Sequence, residues 1–199
     1  MGLVHLVRHA NHAEVGRMLS GRSDIALDAS GMVQAEALVS ALEGMPIASI
    51  HSSPRRRALQ TAAPIAHARG MEVGAVPALD EIDFGAFTGL GFEALDRRAD
   101  WHAWNARRSI ASCPNGETMA QAVSRAADFV CAVAQREAPA VCFSHCDIIR
   151  GIVAHLLGLP MERIFMLDCE PASVTTLSID GGAMRVVTLN SCVRRRARA

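Results

Sequence analysis

Basic side chains follow three separate apolar runs of this sequence, at the point where each run ends. The runs are 2–7, 47–51 and 140–144, and they are followed by Arg8 and His9, by Arg55, Arg56 and Arg57, and by His145. Guanidinium and imidazole groups can hold an anion with charge-assisted hydrogen bonds, and an imidazole can also act as a nucleophile or transfer a proton. A single histidine after a strand is more often a loop or core residue. Because basic residues follow three different apolar runs, the pattern as a whole favours a cationic pocket.

The surrounding pattern predicts the elements that must position these residues. The apolar runs are typical of buried strands, and apolar residues at helical spacing follow them. The first predicted elements are a strand at 2–7, a helix of about fourteen residues after Asp28, a strand at 47–51, and a helix capped by Ser53 with Pro54 in its first turn. A weaker strand within 71–79 and a partly exposed helical segment at 92–109 follow. The last predicted elements are a long helix opened by 114–117, a strand at 140–144, a helix opened by Asp147, and a hairpin of 173–179 with 184–189.

Strands that alternate with helices predict an α/β fold, a three-layer α/β/α sandwich with a mainly parallel sheet. The carboxyl ends of parallel strands meet at one edge of the sheet, and open α/β sheets bind their ligands there. The three basic junctions are therefore expected to lie side by side. We expect one domain over residues 1–193 and a frayed, disordered basic tail at 194–199.

Composition narrows the classes of function. The 199 residues have a formal net charge of zero, so no overall field attracts nucleic acid or an anionic membrane, and an anionic ligand needs a local cluster. All twenty basic residues are arginine. Without lysine, a side-chain Schiff base is excluded, and an anion must be held by guanidinium groups or histidine.

The six cysteines show neither a CxxC pair nor a repeated zinc spacing. They are interpreted as reduced thiols, as in a cytoplasmic protein. The first strand begins too early for a secretory signal, and no apolar stretch approaches the length of a transmembrane helix. We expect no metal ion, no cofactor and no membrane association.

Six stretches resemble, in order, motifs of the histidine phosphatase superfamily, also called phosphoglycerate-mutase-like. They are Leu6-Val7-Arg8-His9; Asp24-Ile25-Ala26-Leu27 with Gly31-Met32-Val33-Gln34-Ala35; Ser52-Ser53-Pro54 through Arg57-Ala58-Leu59-Gln60-Thr61-Ala62; Leu79-Asp80-Glu81 with Phe84-Gly85 and Thr88-Gly89; Gly116-Glu117-Thr118; and Ser144-His145 with Ile149-Arg150. The third stretch aligns the family's phosphate-binding arginine with Arg57.

The resemblance implies a phosphoglycerate-mutase-like fold and a phosphomonoester hydrolase that needs no metal. It implies that His9 attacks phosphorus and forms a phosphohistidine, and that Glu81 protonates the leaving alkoxide and then takes a proton from water. Arg8, Arg57 and a protonated His145 are expected to hold the phosphoryl group. Partial burial is expected to raise the pKa of Glu81 for this role. The expected partner is a small phosphorylated metabolite, and a homodimer is left open.

The chain departs from the family pattern in several places. Ala10 replaces a glycine, at a cost on the order of 1 kcal/mol if positive φ or close approach is needed there. Val15 stands where many members have a phosphate-touching asparagine, and His12 is offered as a further donor or as a surface residue. The backbone N–H of Cys146 is expected to bind the phosphate, and the carboxylate of Asp147 to repel substrate anions unless it points away as a helix cap.

Three functions compete. The first is a cofactor-independent phosphatase, and the second is a 2,3-bisphosphoglycerate-dependent phosphoglycerate mutase. Mutases typically carry E-R-H-Y-G at the acid segment and a long proline-rich insert, whereas this chain has Glu81-Ile82-Asp83-Phe84-Gly85 and no such insert. The third is an inactive member that only binds a phospho-ligand.

Substrate choice is expected to depend on residues 86–115, the segment that should cover the pocket. Trp101, His102, Arg107 and Arg108 are candidates for contact with the leaving group there. Sugar phosphates, nucleotide-loop precursors such as ribazole phosphate, and phosphoproteins all stay open.

Overall fold

A six-stranded sheet forms the centre of the computed structural model, which describes residues 2–181 and 183–192. Its strands are β1 (Gly2–Arg8), β2 (Ser49–Ser52), β3 (Val73–Ala75), β4 (Ala140–Ser144), β5 (Val174–Asp180) and β6 (Ala183–Ser191). The order across the sheet is β3-β2-β4-β1-β5-β6; the first four strands are parallel, and β5 and β6 are antiparallel. The predicted hairpin is confirmed, and the tail predicted at 194–199 lies outside the described residues.

Helices cover both faces of this sheet. They are α1 (Ala29–Ala41), α2 (Arg56–Arg69), α3 (Phe92–Leu95), α4 (Ala99–Ala106), α5 (Met119–Arg136) and α6 (Cys146–Leu156), with 3-10 turns at Pro77–Leu79, Gly85–Phe87 and Met161–Met166. Because strand side chains alternate, Val7 and Phe143 pack with α1 and α2, while Leu6 and Cys142 pack with α5 and α6. The predicted three-layer sandwich is confirmed.

The first helix illustrates how local sequence sets an element. Asp28 caps α1, and its carboxylate accepts a hydrogen bond from the backbone N–H of Gly31 at 2.8 Å. Gly31 also lies so close to the backbone of Asn11 that a Cβ there would overlap the carbonyl oxygen. This contact fixes the loop after β1 against α1.

Helix α2 begins later than its sequence indicates. Ser53 is not the cap: the N-cap position is Arg55, whose side chain makes no capping hydrogen bond. The hydroxyl of Ser53 is instead engaged by His145 and Asp80, at 2.8 and 3.0 Å. The predicted cap is therefore wrong because a long-range partner competes for the same oxygen.

The segment at 92–109 is partly exposed, as predicted, although its two tryptophans are buried. It forms the short helices α3 and α4, and its two tryptophans, Trp101 and Trp104, are 7% and 2% exposed. Phe84 packs edge-on against Trp104, and Phe87 against Trp101, at 5.7 and 5.4 Å between ring centroids. The segment contributes an aromatic part of the core.

The parallel register brings the strand ends together. Arg8 at the end of β1 pairs with Ser144 at the end of β4, and Ser52 at the end of β2 pairs with Phe143. The three basic junctions thus share one edge of the sheet. Within the described ranges, the helices are too short or too polar for any of them to cross a bilayer.

Candidate active site

The basic groups predicted at three junctions lie close together: Arg8, His9 and Arg57 line one cavity, and His145, which is fully buried, contacts Arg57 and His9 without lining it. The rings of His9 and His145 lie 5.2 Å apart between centroids, and Nη2 of Arg57 lies 3.0 Å from Nδ1 of His145. Arg8, His9, Arg57 and Glu81 line a cavity of about 310 Å³. Residues separated by more than a hundred positions are therefore assembled at the predicted edge.

His9 has the geometry of a neutral nucleophile. Its Nδ1 lies 2.9 Å from the carbonyl oxygen of Ala10, which can only accept, so Nδ1 carries the proton and Nε2 keeps its lone pair. Burial, followed by the charges of Arg57 and Arg8, lowers the pKa of His9 well below its usual value. The unprotonated ring is the form that can attack phosphorus.

His145 lies at the inner end of a buried hydrogen-bond chain. Its Nδ1 accepts from Nη2 of Arg57, so its Nε2 donates to the hydroxyl of Ser53, which in turn donates to Oδ1 of Asp80. Burial, then Arg57 and His9, lowers the pKa of His145 well below its usual value. His145 is therefore neutral in the protein alone, and the protonated form that the resemblance implies stays a prediction for the complex, where a phosphoryl dianion beside the ring would raise the pKa of His145.

The two arginines of the site are anchored by backbone carbonyls. Nη1 of Arg8 donates to the carbonyl of Cys169 at 2.6 Å, and Nη2 of Arg57 donates to that of Gly21 at 2.6 Å. The Nε of each is buried without a hydrogen-bond partner among the described residues. Of the three consecutive arginines, Arg57 is the one that lines the cavity; Arg55 pairs with Asp80 at 3.1 Å.

Glu81 is set up as a proton donor near neutral pH. It is 7% exposed, next to the buried Leu79 and Phe84. Burial, followed by the nearby charge of Asp147, raises the pKa of Glu81 to about 8. A carboxyl group that stays protonated at neutral pH can protonate a departing alkoxide.

His12 and Cys146 also lie at the cavity. The His12 ring centroid is 5.1 Å from that of His9, and burial with the charges of Arg57 and Arg8 lowers its pKa to about 4. Its Nδ1 accepts from the backbone of Glu14 at 3.3 Å, which leaves an Nε2–H donor. Cys146 begins α6, where backbone N–H groups lack helical partners.

Asp147 does not point away from the cavity as a helix cap. The helix has His145 at its N-cap position, and Asp147 lines the cavity from the first turn. Its charge is compensated by Arg108, whose Nη1 lies 3.3 Å from Oδ2 of Asp147. The Arg108 guanidinium lies over the rings of Trp104 and Phe165, with its Cζ 4.2 and 4.5 Å from the ring centroids.

Two of the four residues predicted to reach a leaving group line the cavity. Trp101 and Arg108 do so, whereas His102 is exposed and bonds to the carbonyl of Asp96 at 2.7 Å. Arg107 does not line the cavity either. The rest of the cavity lining is mostly apolar: Val15, Met18, Leu19, Phe92 and Phe165, with Arg150. Apart from Val15, which aligns with a phosphate-touching position of the family, residue spacing gave no signal for these side chains.

The comparisons with known proteins agree with this arrangement. A family model described as histidine phosphatase superfamily (branch 1) matches residues 4–192. Phosphoserine phosphatase 1 of Hydrogenobacter thermophilus is 29% identical over 191 residues, which cover 93% of this chain and 90% of that protein. The probable phosphoglycerate mutase GpmB of Proteus mirabilis is 31% identical over 183 residues, which cover 86% and 83%.

A solved structure shares the whole fold. The mycobacterial glucosyl-3-phosphoglycerate phosphatase, determined with VO3, superposes with a TM-score of 0.84 at 27% identity. The match covers 96% of this chain and 100% of that one.

Proposed function

This chain belongs to the histidine phosphatase superfamily, branch 1, and we propose that it hydrolyses phosphomonoesters of a small metabolite through a phosphohistidine formed on His9. The observation that supports the proposal best is the unprotonated Nε2 of His9, which lies in the same cavity as Arg8, Arg57 and a protonated Glu81. The relatives named as phosphatases support hydrolysis as the reaction class.

In the first step, Nε2 of His9 attacks phosphorus, and the bond from phosphorus to the alkoxide oxygen breaks. The proton of Glu81 passes to that oxygen, so the leaving group departs as an alcohol. Arg8 and Arg57 donate hydrogen bonds to the equatorial oxygens of the phosphoryl group. His145 is expected to gain a proton on Nδ1 as the dianion binds, and the Arg57 N–H that donates to this nitrogen in the free protein then turns to the phosphoryl group.

In the second step, water attacks the phosphohistidine. The Glu81 carboxylate left by the first step takes a proton from this water, and the bond between phosphorus and Nε2 of His9 breaks. Inorganic phosphate is released, and both side chains return to their starting forms.

The mutase alternative is less supported. One relative is named as a probable phosphoglycerate mutase, but the acid segment after Glu81 lacks the arginine and tyrosine typical of mutases. Interconversion of phosphoglycerates that depends on added bisphosphoglycerate would favour the mutase. Absence of all turnover would favour a protein that only binds phosphate esters.

Hydrolysis of p-nitrophenyl phosphate by the wild-type protein and by His9→Ala tests the proposal. We expect turnover in the wild type, loss of it in His9→Ala, and an acid-labile phosphoryl adduct on His9 after rapid quenching. His155→Ala, an exposed position on α6, is the matched control and should keep its turnover. Hydrolysis that persists in His9→Ala would overturn the mechanism.

A further inference from the structure

Glu81 lies in a segment whose backbone is not held by regular secondary structure. Residues 80–84 connect two 3-10 turns, Pro77–Leu79 and Gly85–Phe87, and belong to no helix or strand. The carbonyl groups of such a segment still need hydrogen-bond donors, because an unpaired buried carbonyl is costly. The position of the Glu81 carboxyl group therefore depends on the groups that hold this backbone.

Arg125 of α5 holds the segment by its carbonyl groups. Its Nη1 donates to the carbonyls of Ala78 and Asp80, both at 2.8 Å, and its Nη2 donates to the carbonyl of Glu81 at 3.0 Å. The Nε of Arg22 donates to the same carbonyl of Glu81 at 2.9 Å. A guanidinium group can serve several acceptors at once, because its five N–H donors are fixed in one plane.

Glu117, from the Gly116-Glu117-Thr118 motif, holds both arginines. Its Oε1 accepts from Nη2 of Arg22 at 2.9 Å and from Nη2 of Arg125 at 2.7 Å. The same oxygen accepts from the backbone N–H of Asp83 at 2.9 Å, and the backbone N–H of Glu117 donates to the carbonyl of Asp83 at 3.0 Å. The motif, which takes no part in the two chemical steps, therefore fixes the backbone around the acid.

The peptide unit between Glu81 and Ile82 connects the arginines to the carboxyl group. Its carbonyl accepts from Arg22 and Arg125, and its N–H donates to Oε1 of Glu81 at 2.9 Å. The unit is trans and planar, so its carbonyl and its N–H point in opposite directions. Fixing the carbonyl therefore fixes the N–H and the carboxyl group that is bonded to it. Because Oε1 accepts this hydrogen bond, the proton of the acid is carried by Oε2.

We propose that Arg125 is a positioning residue for Glu81: it holds the peptide unit between Glu81 and Ile82 and so keeps the carboxyl group in place to protonate the leaving oxygen. This inference rests on the proposed phosphatase function. Arg125 does not line the cavity, so it acts through Glu81, whereas Arg8 and Arg57 act on the phosphoryl group itself.

Two substrates of nearly the same shape, p-nitrophenyl phosphate and phenyl phosphate, test the inference. p-Nitrophenolate is a stable anion that leaves with little help, whereas phenolate is more basic and benefits from a proton as it leaves. In Arg125→Met we expect the fall in kcat/KM to be about tenfold or more larger for phenyl phosphate than for p-nitrophenyl phosphate. If Arg125 only stabilised the fold, both values would fall by the same factor.

Glu81→Gln removes the proton donor, and it should shift the ratio of the two kcat/KM values in the same direction as Arg125→Met, by a larger factor. In the Glu81→Gln background, the further change Arg125→Met should leave the ratio unchanged, because the arginine acts only through the acid. Arg125→Lys should give an intermediate ratio, because a single ammonium group cannot replace the fork of donors, and it serves as the test if Arg125→Met does not fold.

Arg136→Met, at an exposed arginine of the same helix, is the matched control and should keep the wild-type values for both substrates. A wild-type ratio in both Arg125 variants would overturn the inference. A ratio that Arg125→Met still shifts in the Glu81→Gln background would also refute it, since the arginine would then act by another route. Hydrolysis of p-nitrophenyl phosphate by the wild type reports separately on the proposed function, and its absence would remove that function and this inference together.

Discussion

Replacing Ser53 with alanine removes the link between His145 and Asp80. The hydroxyl accepts from Nε2 of His145 at 2.8 Å and donates to Oδ1 of Asp80 at 3.0 Å, and Ser53 is fully buried. Without it, Oδ1 of Asp80 lies 3.7 Å from Nε2 of His145, beyond hydrogen-bonding distance. Because this hydrogen bond is made to an imidazolium once phosphate is bound, it contributes about 1.5–3 kcal/mol. We expect kcat/KM to fall about 10- to 150-fold.

The assay is kcat/KM for p-nitrophenyl phosphate together with competitive inhibition by inorganic phosphate across a range from about pH 5 to about pH 9. Asp80→Asn keeps the shape of the chain but removes the charge that favours the imidazolium of His145. The pKa of His145 in the complex should fall, so inhibition by phosphate should weaken at a lower pH than in the wild type. A merely structural role for Asp80 would not move this profile.

Ser52→Ala is the matched control, because Ser52 is equally buried and its hydroxyl donates only to the backbone carbonyl of Ser53. It should change kcat/KM by less than about threefold. The reasoning fails if folded Ser53→Ala retains wild-type kcat/KM, or if Ser52→Ala loses as much activity.

Four further outcomes are expected. Because Glu81 has a pKa of about 8 and must be protonated to donate, kcat/KM should fall above about pH 8, and a flat pH–rate profile beyond that point would contradict its role. In Asp147→Asn, kcat/KM should begin to fall at a lower pH than in the wild type, since the charge of Asp147 raises the pKa of Glu81. If kcat/KM begins to fall at the same pH or a higher one, Asp147 does not raise the pKa of Glu81. Ala10→Gly should lower the free energy of unfolding, measured in urea, by about 1 kcal/mol, because Ala10 is fully buried and has no positive φ; a gain in stability would show that the family glycine is still needed. Gly31→Ala should cost more than about 2 kcal/mol, seen as a lower Tm, because its Cβ would overlap the carbonyl of Asn11; an unchanged Tm would mean that the loop can move aside.

The central strands of the sheet could be predicted from the sequence, because each is a continuous apolar run. The apolar runs before Arg8 and before His145 are long enough to define central strands, and parallel pairing then places their ends at one edge. Which ring nitrogen of the neutral His9 carries the proton could not be predicted, because it depends on which carbonyl faces Nδ1. Distances of this kind are set by tertiary packing and have no counterpart in residue spacing.

The errors share a physical cause. Ser53 and Asp147 are residue types that favour helix caps and first turns, so local rules place both at helix termini, and Asp147 does lie in the first turn of α6. In the structure, the oxygens of both residues contact residues that are distant in sequence. The hydroxyl of Ser53 is hydrogen-bonded to His145 and Asp80, and the carboxylate of Asp147 forms an ion pair with Arg108. At the edge of the sheet that carries the candidate site, long-range hydrogen bonds and ion pairs therefore outweigh the helix-capping preferences of polar side chains.

The two tryptophans beside the cavity can report on ligand binding through their fluorescence. The chain has two tryptophans and no tyrosine, and the stacked indoles of Trp101 and Trp104 lie 5.3 Å apart beside the cavity. The intrinsic fluorescence of the protein therefore comes from Trp101 and Trp104, and the guanidinium of Arg108 lies over the ring of Trp104. A ligand that shifts that guanidinium would alter the emission, so occupancy could be followed by intrinsic fluorescence in the native protein without any attached dye.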